Sequence, residues 1–183
     1  MPKILVTEEQ WVQKGIEYFS QGGFAALVVE KMARELKCSK SSFYWYFNDR
    51  DEFLRRVIEL WTKRATVDVI FESSKNMTTE IQIRAVLEKM FSNENVGDFL
   101  FYLRRLGQEK DEYREVLTSI ENMRLSYMTK LLQQLEISEE KAKIKASLIY
   151  HYYLGWYERH KYKKVSSQDM ESQILIMFEE IIG

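Results

Sequence analysis

A lysine and two hydroxyl side chains precede a run of five aromatic residues near the start of the sequence. Lys40, Ser41 and Ser42 lead directly into residues 43–47, which read Phe-Tyr-Trp-Tyr-Phe. Hydroxyl and ammonium groups at the start of a helix can donate hydrogen bonds to phosphate oxygens or reach the edges of bases. A short helix buries only one stripe of its surface, so some of these rings stay exposed unless a partner covers them. The residue types therefore predict a partner that covers the rings and carries phosphate groups.

The sequence contains no arrangement of residues that predicts catalysis. It has no nucleophile beside a base, no glycine-rich phosphate loop and no metalloprotease histidine pair. His151 and His160 are too few and too far from Cys38 to predict a metal site. Cys38 is expected to be a small buried apolar residue in a turn rather than a redox sensor. We therefore expect no enzymatic activity, no cofactor and no metal.

The elements that must position these residues are helices. The 183-residue chain has one proline, at position 2, and only seven glycines, so almost nothing interrupts helix along it. Few stretches alternate between apolar and polar residues as strands do. The composition predicts an all-α protein, long enough to bury a core without disulfides. The spacing of apolar residues and the breaks between them predict about nine helices along the chain.

The bulk properties also indicate a cellular compartment and a range of partners. The N-terminus lacks the pattern of a signal peptide, and the uncharged, mostly apolar run at residues 146–157 is too short to cross a bilayer. A cytoplasmic protein with no membrane contact is expected. The formal net charge is −1, but residues 1–66 carry a net charge of +2 and the remainder −3. This mild polarity permits the N-terminal part to contact nucleic acid without demonstrating it.

Residues 29–47 fit the pattern of a helix-turn-helix, whose second helix enters the major groove of DNA. Ala33 supplies the small residue where the two helices cross, and Ser39 is expected to cap a second helix over residues 40–47. The small core is predicted to comprise Val29, Met32, Leu36, Cys38, Phe43 and Phe47. This assignment leaves the following residues for double-stranded DNA: Lys40, Ser41, Ser42, Tyr44, Trp45 and Tyr46. Packing against neighbouring helices is an equal alternative for one of the three last-named rings.

The segment GGFAALVVEKMARELKCSKSSFYWYFNDRDEFL resembles the tetracycline-repressor (TetR) family of bacterial regulators. The characteristic positions are Gly23-Phe24, Met32-Ala33, Ser39-Lys40, Tyr44, Phe47, Arg50 and Leu54. The resemblance implies a homodimer formed by the last two helices, a palindromic operator and an effector cavity in the C-terminal domain. It also implies that Arg50 lies against a phosphate. We expect a helix-turn-helix domain over 1–49, joined through a long fourth helix to an effector-binding and dimerisation domain over 50–183.

The sequence departs from the family pattern at three places. Leu27 and Val28 stand where the family usually has Thr or Ser, so a helix cap and a phosphate contact are lost. Lys37 replaces the usual turn glycine, and a non-glycine residue held at positive φ costs about 1 kcal/mol. Trp45 and Tyr46 occupy places often taken by His, and they offer bulk and stacking instead of an ionisable contact.

The C-terminal region suggests an effector pocket and a dimer interface. Aromatic residues there could line a pocket or fill a core, and with Arg104 or Arg105 they would suit a small, mainly apolar effector with a polar or acidic end. The candidate pocket residues are Phe99, Tyr102, Tyr113, Met123, Tyr127, Tyr153 and Trp156. Residues 146–157 are apolar around the whole helix, which favours a second subunit packing there. The candidate interface residues are Tyr150, Leu154, Ile174, Met177, Phe178 and Ile181.

Taken together, these patterns predict a ligand-responsive, DNA-binding transcriptional regulator, a repressor that binds a palindromic operator as a homodimer. The alternative is a small-molecule or protein interaction module that keeps the same fold without binding DNA. The near-neutral charge of the N-terminal part and the changes at Leu27, Val28 and Lys37 give this alternative its support.

Overall fold

The computed structural model of the protein describes residues 6–75, 78–92, 98–161 and 163–183, and every regular element among them is helical. The α-helices are α1 (Glu8–Ala26), α2 (Val29–Glu35), α3 (Ser41–Tyr46), α4 (Arg50–Thr62), α5 (Asp68–Ser73), α6 (Thr79–Phe91), α7 (Phe99–Glu109), α8 (Asp111–Gln134), α9 (Glu139–His160) and α10 (Ser167–Ile176). Two π-helical segments, Lys63–Val67 and Met177–Ile182, continue α4 into α5 and extend α10. If each π-helical segment is counted with the α-helices that it adjoins, the described residues form nine helices. This architecture confirms the predicted all-α fold class.

Local sequence signals set several of the helix ends. The Thr7 side chain accepts from the Gln10 amide while the Gln10 side chain accepts from the Thr7 amide, which forms a capping box before α1. Asp49 caps α4 by accepting from the Glu52 amide at 2.7 Å. Near the end of α1 the helical dihedrals are interrupted at Gly22 and Gly23. Gly23 has a φ of +64°, a conformation that glycine adopts without the steric cost of a Cβ atom.

The chain divides into two compact units, the first of which contains the described residues of 1–64 and 96–117. Here α1 packs on both α4 and α7. Gly15 permits the close approach to α4, because a Cβ at this position would lie 2.4 Å from a Val57 methyl carbon. On the other side, Phe19 contacts the ring of Phe99 with a centroid distance of 4.6 Å. These contacts make α1 the central helix of the unit that carries the helix-turn-helix.

The second unit contains the described residues of 65–95 and 118–183. Its apolar core is built from α6, α8, α9, α10 and the terminal π-helical segment. Phe91 is fully buried and meets the Trp156 ring edge to face, at a centroid distance of 5.0 Å. Arg84 forms ion pairs with Glu88 on its own helix and with Glu171 on α10. The long C-terminal helices therefore have a core of their own.

The packing groups the residues differently from the domains predicted at 1–49 and 50–183. The predicted boundary marks the end of the helix-turn-helix in the sequence. In the structure, the unit that holds this motif also includes Arg50–Thr62 and the residues of α7. The reason is that α1 buries its apolar residues against α4 and α7. The boundary after residue 49 stays a prediction about the DNA-binding segment.

No described helix is both long and apolar enough to cross a membrane. Within the same described ranges, no group of three or more His, Cys, Asp or Glu side chains could hold a metal ion.

Candidate nucleic-acid interface

The candidate interface rests on a buried aromatic cluster beneath α3. Phe43 is fully buried, and its ring lies 5.3 Å from the Trp11 ring, 5.0 Å from that of Phe47 and 5.1 Å from that of Phe53, measured between centroids. The cluster joins α1, α3 and α4 around one side chain. Such aromatic pairs add to the stabilisation that apolar burial provides. The six-residue helix α3 is therefore held by tertiary contacts rather than by its own length.

The start of α3 differs slightly from the expectation that Ser39 caps a helix over 40–47. The regular helix is Ser41–Tyr46, and Lys40 occupies the cap position without a side-chain cap hydrogen bond. The hydroxyl of Ser39 lies 2.7 Å from that of Ser41. Ser39 instead contributes its main-chain oxygen, which accepts from the Ser42 amide at 3.0 Å. The helix begins at Ser41 instead of Lys40, because the hydrogen bond between Ser42 and Ser39 spans three residues rather than the four of an α-helix.

The outward-facing rings of α3 are Tyr44 and Trp45. The Tyr44 side chain is 54 % exposed and that of Trp45 is 84 % exposed, the largest exposed fraction of any large hydrophobic residue in the described part of the chain. Tyr44 rests edge to face on Phe43, at a centroid distance of 5.3 Å. Two large rings are thus presented to solvent from a rigid support. Ser41 is also exposed at the first position of the helix.

Two of the candidate DNA-binding residues form hydrogen bonds to α1 or to the chain just before it. Ser42 accepts a hydrogen bond from the Trp11 indole at 3.3 Å. Tyr46 is half-buried, and its hydroxyl donates to the main-chain oxygen of Val6 at 3.1 Å. Tyr46 therefore contributes to holding α3 against the chain that precedes α1. This contact fits the packing alternative that the sequence left open for one ring.

The ammonium group of Lys40 forms an ion pair with Glu30 of α2. The hydrogen bond from Lys40 lowers the pKa of the Glu30 carboxyl and, from the other side, raises the pKa of the Lys40 ammonium. The positive charge of Arg50 further lowers the pKa of Glu30. Sequence analysis missed Glu30, because the ten-residue separation crosses a turn and matches no helical spacing. At neutral pH both partners are charged and the local charges cancel.

Arg50 is held in place by Phe24. Its Nη2 donates to the main-chain oxygen of Phe24 at 2.7 Å, and its guanidinium carbon lies 4.5 Å from the centroid of the Phe24 ring. An Arg over an aromatic face is stabilised by a cation–π interaction. The contact fixes the first residue of α4 to the end of α1. Arg50 remains exposed to solvent in this position.

Two of the departures from the family pattern have the predicted structural form. Lys37 has a φ of +54°, the left-handed conformation expected where the family has glycine. Val28 is the cap residue of α2, and no side-chain hydrogen bond caps that helix. The two residues flank α2, one at each end.

The structure divides the candidate effector residues between its two compact units. Phe99, Tyr102 and Tyr113 belong to the first unit, whereas Met123, Tyr127, Tyr153 and Trp156 belong to the second. Phe99 stacks on Trp61 at 4.3 Å between centroids, and the Tyr102 hydroxyl donates to the main-chain oxygen of Gln21 at 3.0 Å. In the second unit, the Tyr127 and Ser73 hydroxyls lie 3.0 Å apart. Each group is thus placed within its own unit, and the assignment to one pocket stays a prediction.

Tyr113 differs from the other rings in having an unpartnered polar group. The residue is 2 % exposed, and no hydrogen bond of ordinary geometry engages its buried hydroxyl among the described residues. Burial, reinforced by the negative charges of Glu112 and Asp51, raises the pKa of Tyr113 to about 12. The phenol is therefore neutral under all ordinary conditions.

The first unit also contains an open groove of about 470 Å³ between the start of α1 and α4. None of the candidate effector residues lines this groove. Its largely charged lining consists of Thr7, Glu8, Glu9, Val12, Arg56, Glu59, Leu60 and Lys63.

The candidate dimer residues lie mostly inside the second unit. Ile174 and Met177 are fully buried there and Tyr150 is 7 % exposed, whereas Leu154, Phe178 and Ile181 are partly buried. Other apolar residues of α9 and α10 face solvent: Ile144, Leu148, Tyr152, Leu175 and Ile176. The buried residues pack the helices together within one chain. The exposed set, which we call the α9–α10 face, is the apolar surface that they leave uncovered.

Comparison with known proteins shows which family the N-terminal segment resembles. Residues 12–57 match the family model of bacterial regulatory proteins, tetR family. The matched segment runs from α1 through the helix-turn-helix into α4. No curated protein sequence matches the chain.

Solved structures extend the likeness to the whole chain. A TetR transcriptional regulator from Legionella pneumophila superposes with a TM-score of 0.80 at 13 % identity, covering 98 % of this chain and 99 % of that one. A TerR/AcrR-family regulator from Aquifex aeolicus VF5 gives 0.70 at 16 % identity, with coverages of 92 % and 95 %. The regulator FadR from Bacillus subtilis, solved with stearoyl-CoA, gives 0.63 at 14 % identity, with coverages of 94 % and 98 %. The resemblance predicted from the sequence is confirmed: the N-terminal segment is that of the tetR family, and the chain has the fold of TetR-family transcriptional regulators.

Proposed function

We propose that the protein is a ligand-responsive transcriptional regulator that binds a palindromic DNA operator as a homodimer and represses transcription. The observation that carries the proposal is the exposure of Tyr44 and Trp45 on a helix fixed by buried rings. Exposing two large rings side by side is unfavourable in water, and a partner that covers them removes this cost. In a helix-turn-helix, the second helix lies in the major groove, where apolar side chains contact thymine methyl groups. This function requires access to DNA, so we place the protein in the cytoplasm.

Homodimerisation is supported by the α9–α10 face. Leu148 is 53 % exposed and Leu175 is 46 % exposed, on the two helices that the TetR resemblance assigns to the dimer. A two-fold interface brings the same surface of both subunits together, so one apolar face serves both partners. Two copies of α3 would then read two half-sites that are related by the same symmetry.

We further propose a small, mainly apolar effector. The FadR structure contains stearoyl-CoA, a ligand with a long apolar chain and an anionic end. In this protein, the aromatic residues of the second unit, including Tyr153 and Trp156, surround Phe91. A ligand that inserts between these rings would favour a subunit arrangement that no longer matches the operator spacing. Thermal unfolding of the protein with a panel of fatty acids and acyl-CoA esters tests this part, because a ligand that binds the folded state raises the Tm.

Selection from a library of random duplexes tests DNA binding directly. The purified protein should enrich a palindromic sequence, and Trp45→Ala should lose that enrichment while keeping its Tm, since the ring is almost fully exposed. A matched control is Phe71→Ala, which removes a 61 % exposed ring outside α3. If folded, dimeric wild-type protein enriches no sequence, the proposal fails and the interaction-module alternative gains support.

A further inference from the structure

The cations of the candidate interface already have partners within the protein. Lys40 is paired with Glu30, and Arg50 is bonded to Phe24. Both charges of the Lys40 pair remain accessible, since the Lys40 side chain is 49 % exposed and that of Glu30 is 57 % exposed. A phosphate that approaches Lys40 therefore meets the Glu30 carboxylate at the same ammonium group.

The ammonium group of Lys40 lies between a carboxylate and an aromatic ring. Its nitrogen lies 5.9 Å from the centroid of the Tyr44 ring, so the group is bounded by this ring and by the Glu30 carboxylate. Glu30 belongs to the first turn of α2, whereas Lys40 precedes α3, so the pair links the two helices of the motif. A carboxylate offers two oxygen acceptors and a negative charge, which are the features that a DNA phosphate offers to a lysine.

Resting on the proposed function, we propose that Glu30 is an internal competitor for DNA phosphate, which lowers the affinity of the protein for DNA by occupying Lys40 in the free state. Binding then requires that the carboxylate be displaced and left near the phosphate backbone. Contacts between lysine and phosphate supply nearly all of the affinity for non-specific sequence, and they act through the release of counterions. Glu30 thus weakens binding that depends on phosphate alone, so stable binding depends more on the contacts of Tyr44 and Trp45.

The experiment compares wild type with Glu30→Gln, which keeps the shape of the side chain and removes its charge. The probe is a fluorescein-labelled 30-bp duplex of random sequence, with anisotropy measured over a series of salt concentrations. Because an exposed ion pair is weak, Glu30→Gln should bind about two- to five-fold more tightly at low salt. Its plot of log affinity against log salt should be steeper by about 0.9, the value for one additional phosphate contact.

Two controls separate this mechanism from a general effect of charge. Glu35→Gln makes the same charge change on the same helix, but its carboxylate pairs with Lys14 and accepts from Tyr18. It should not alter the salt dependence. In a Lys40→Met background, Glu30→Gln should not change the affinity for the duplex, because the ammonium group that the substitution would release is absent. Circular dichroism melting verifies that each variant is folded.

The outcomes distinguish this inference from the function on which it rests. If wild type binds the duplex and Glu30→Gln binds equally or more weakly, Glu30 is no competitor and the inference is overturned. The inference is also overturned if Glu35→Gln gains as much affinity for the duplex as Glu30→Gln. A gain in affinity from Glu30→Gln in the Lys40→Met background overturns it as well. If neither wild type nor any variant binds the random duplex or a selected sequence, DNA binding itself is refuted.

Discussion

The guanidinium group of Arg124 donates from Nη2 to the main-chain oxygen of Ala65 at 3.2 Å. Its Nε also donates to the hydroxyl of Thr66 at 3.0 Å. Both acceptors lie in the π-helical segment Lys63–Val67, and Thr66 is 1 % exposed. A π-helical turn changes the pairing of main-chain groups from that of an α-helix. Arg124 therefore donates hydrogen bonds to two acceptors in the π-helical segment between α4 and α5.

Replacing Arg124 with Met should lower the free energy of unfolding by about 1–3 kcal/mol, the cost of leaving the buried Thr66 hydroxyl and the partly buried main chain of Ala65 without a charged donor. Urea unfolding followed by circular dichroism measures the change. Arg114→Met is the matched control, since Arg114 pairs with Asp111 and the two side chains are 60 % and 81 % exposed. The control should change stability by no more than about 0.5 kcal/mol. Equal losses in both variants would contradict the role assigned to Arg124.

The buried phenol of Tyr113 should make stability fall at high pH. Its pKa is about 12 in the folded protein against an ordinary value of 10.0, so folding disfavours the phenolate. This contribution is fully present below pH 10, and it is lost as the pH rises from 10 towards 12, because the unfolded chain releases its proton first. Urea unfolding of wild type and Tyr113→Phe across this range isolates the effect.

The same variant tests the unpartnered hydroxyl at neutral pH. Tyr113→Phe removes a buried polar group that has no described partner, so its stability should be equal to or greater than that of wild type. Above pH 10 the difference in free energy of unfolding between Tyr113→Phe and wild type should grow in favour of the variant. A clear loss of stability at neutral pH would mean that the hydroxyl makes an essential hydrogen bond.

Lys37→Gly should stabilise the protein. Relief of the positive φ gains about 1–2 kcal/mol, and the greater freedom of glycine in the unfolded chain offsets about 0.5–1 kcal/mol of it. Chemical denaturation measures the net gain. Lys130→Gly, at an exposed position inside α8, should instead cost about 1 kcal/mol. A loss at both positions would show that Lys37 makes contacts that outweigh the strain.

Val28→Thr should also stabilise the protein, because a hydroxyl at the cap position of α2 can accept from a free amide of the first turn. The expected gain is about 1 kcal/mol, since Thr and Val have nearly the same shape. Val28→Ala serves as the control without a hydroxyl and should give no gain. Thermal unfolding of the three proteins decides whether the cap forms.

Leu148→Lys should disrupt the proposed dimer without unfolding the chain. The side chain is 53 % exposed on the α9–α10 face, and a charge there would be buried between two subunits. Sedimentation velocity should show a shift from dimer to monomer. Ile81→Lys, at a 49 % exposed position on α6, should leave the assembly unchanged. A dimer that survives Leu148→Lys would exclude this face as the interface.

Much of the fold could be predicted because its signals are local. Thr7 and Gln10 are three residues apart, as are Asp49 and Glu52, and in each pair the first side chain caps a helix by accepting from the amide of the second residue. The turn at Lys37 has the positive φ that its position indicated. The two caps depend on neighbouring residues along the chain, so spacing is enough to identify them, whereas the positive φ at Lys37 was implied by the resemblance to a family that has glycine there.

The candidate site was predicted less completely, because helical spacing does not determine which side of a helix is covered. In α10 and the segment after it, Ile174 and Met177 are buried while Leu175 and Ile176 are exposed. All four are apolar, so periodicity alone could not separate core from surface. The same ambiguity applies to Tyr44, Trp45 and Tyr46. The hydroxyl of Tyr46 donates to the main-chain oxygen of Val6, whereas the rings of Tyr44 and Trp45 are largely exposed.

By itself, the sequence determined the helices and the helix-turn-helix, since these follow from apolar spacing and short-range hydrogen bonding. Only the tertiary structure decided that Glu30 pairs with Lys40, that Arg124 bonds to Ala65 and that the candidate effector residues fall into two units. The physical reason is that ion pairs and packing depend on distance in space. Residues 10 or 59 positions apart meet only after helices have turned and packed.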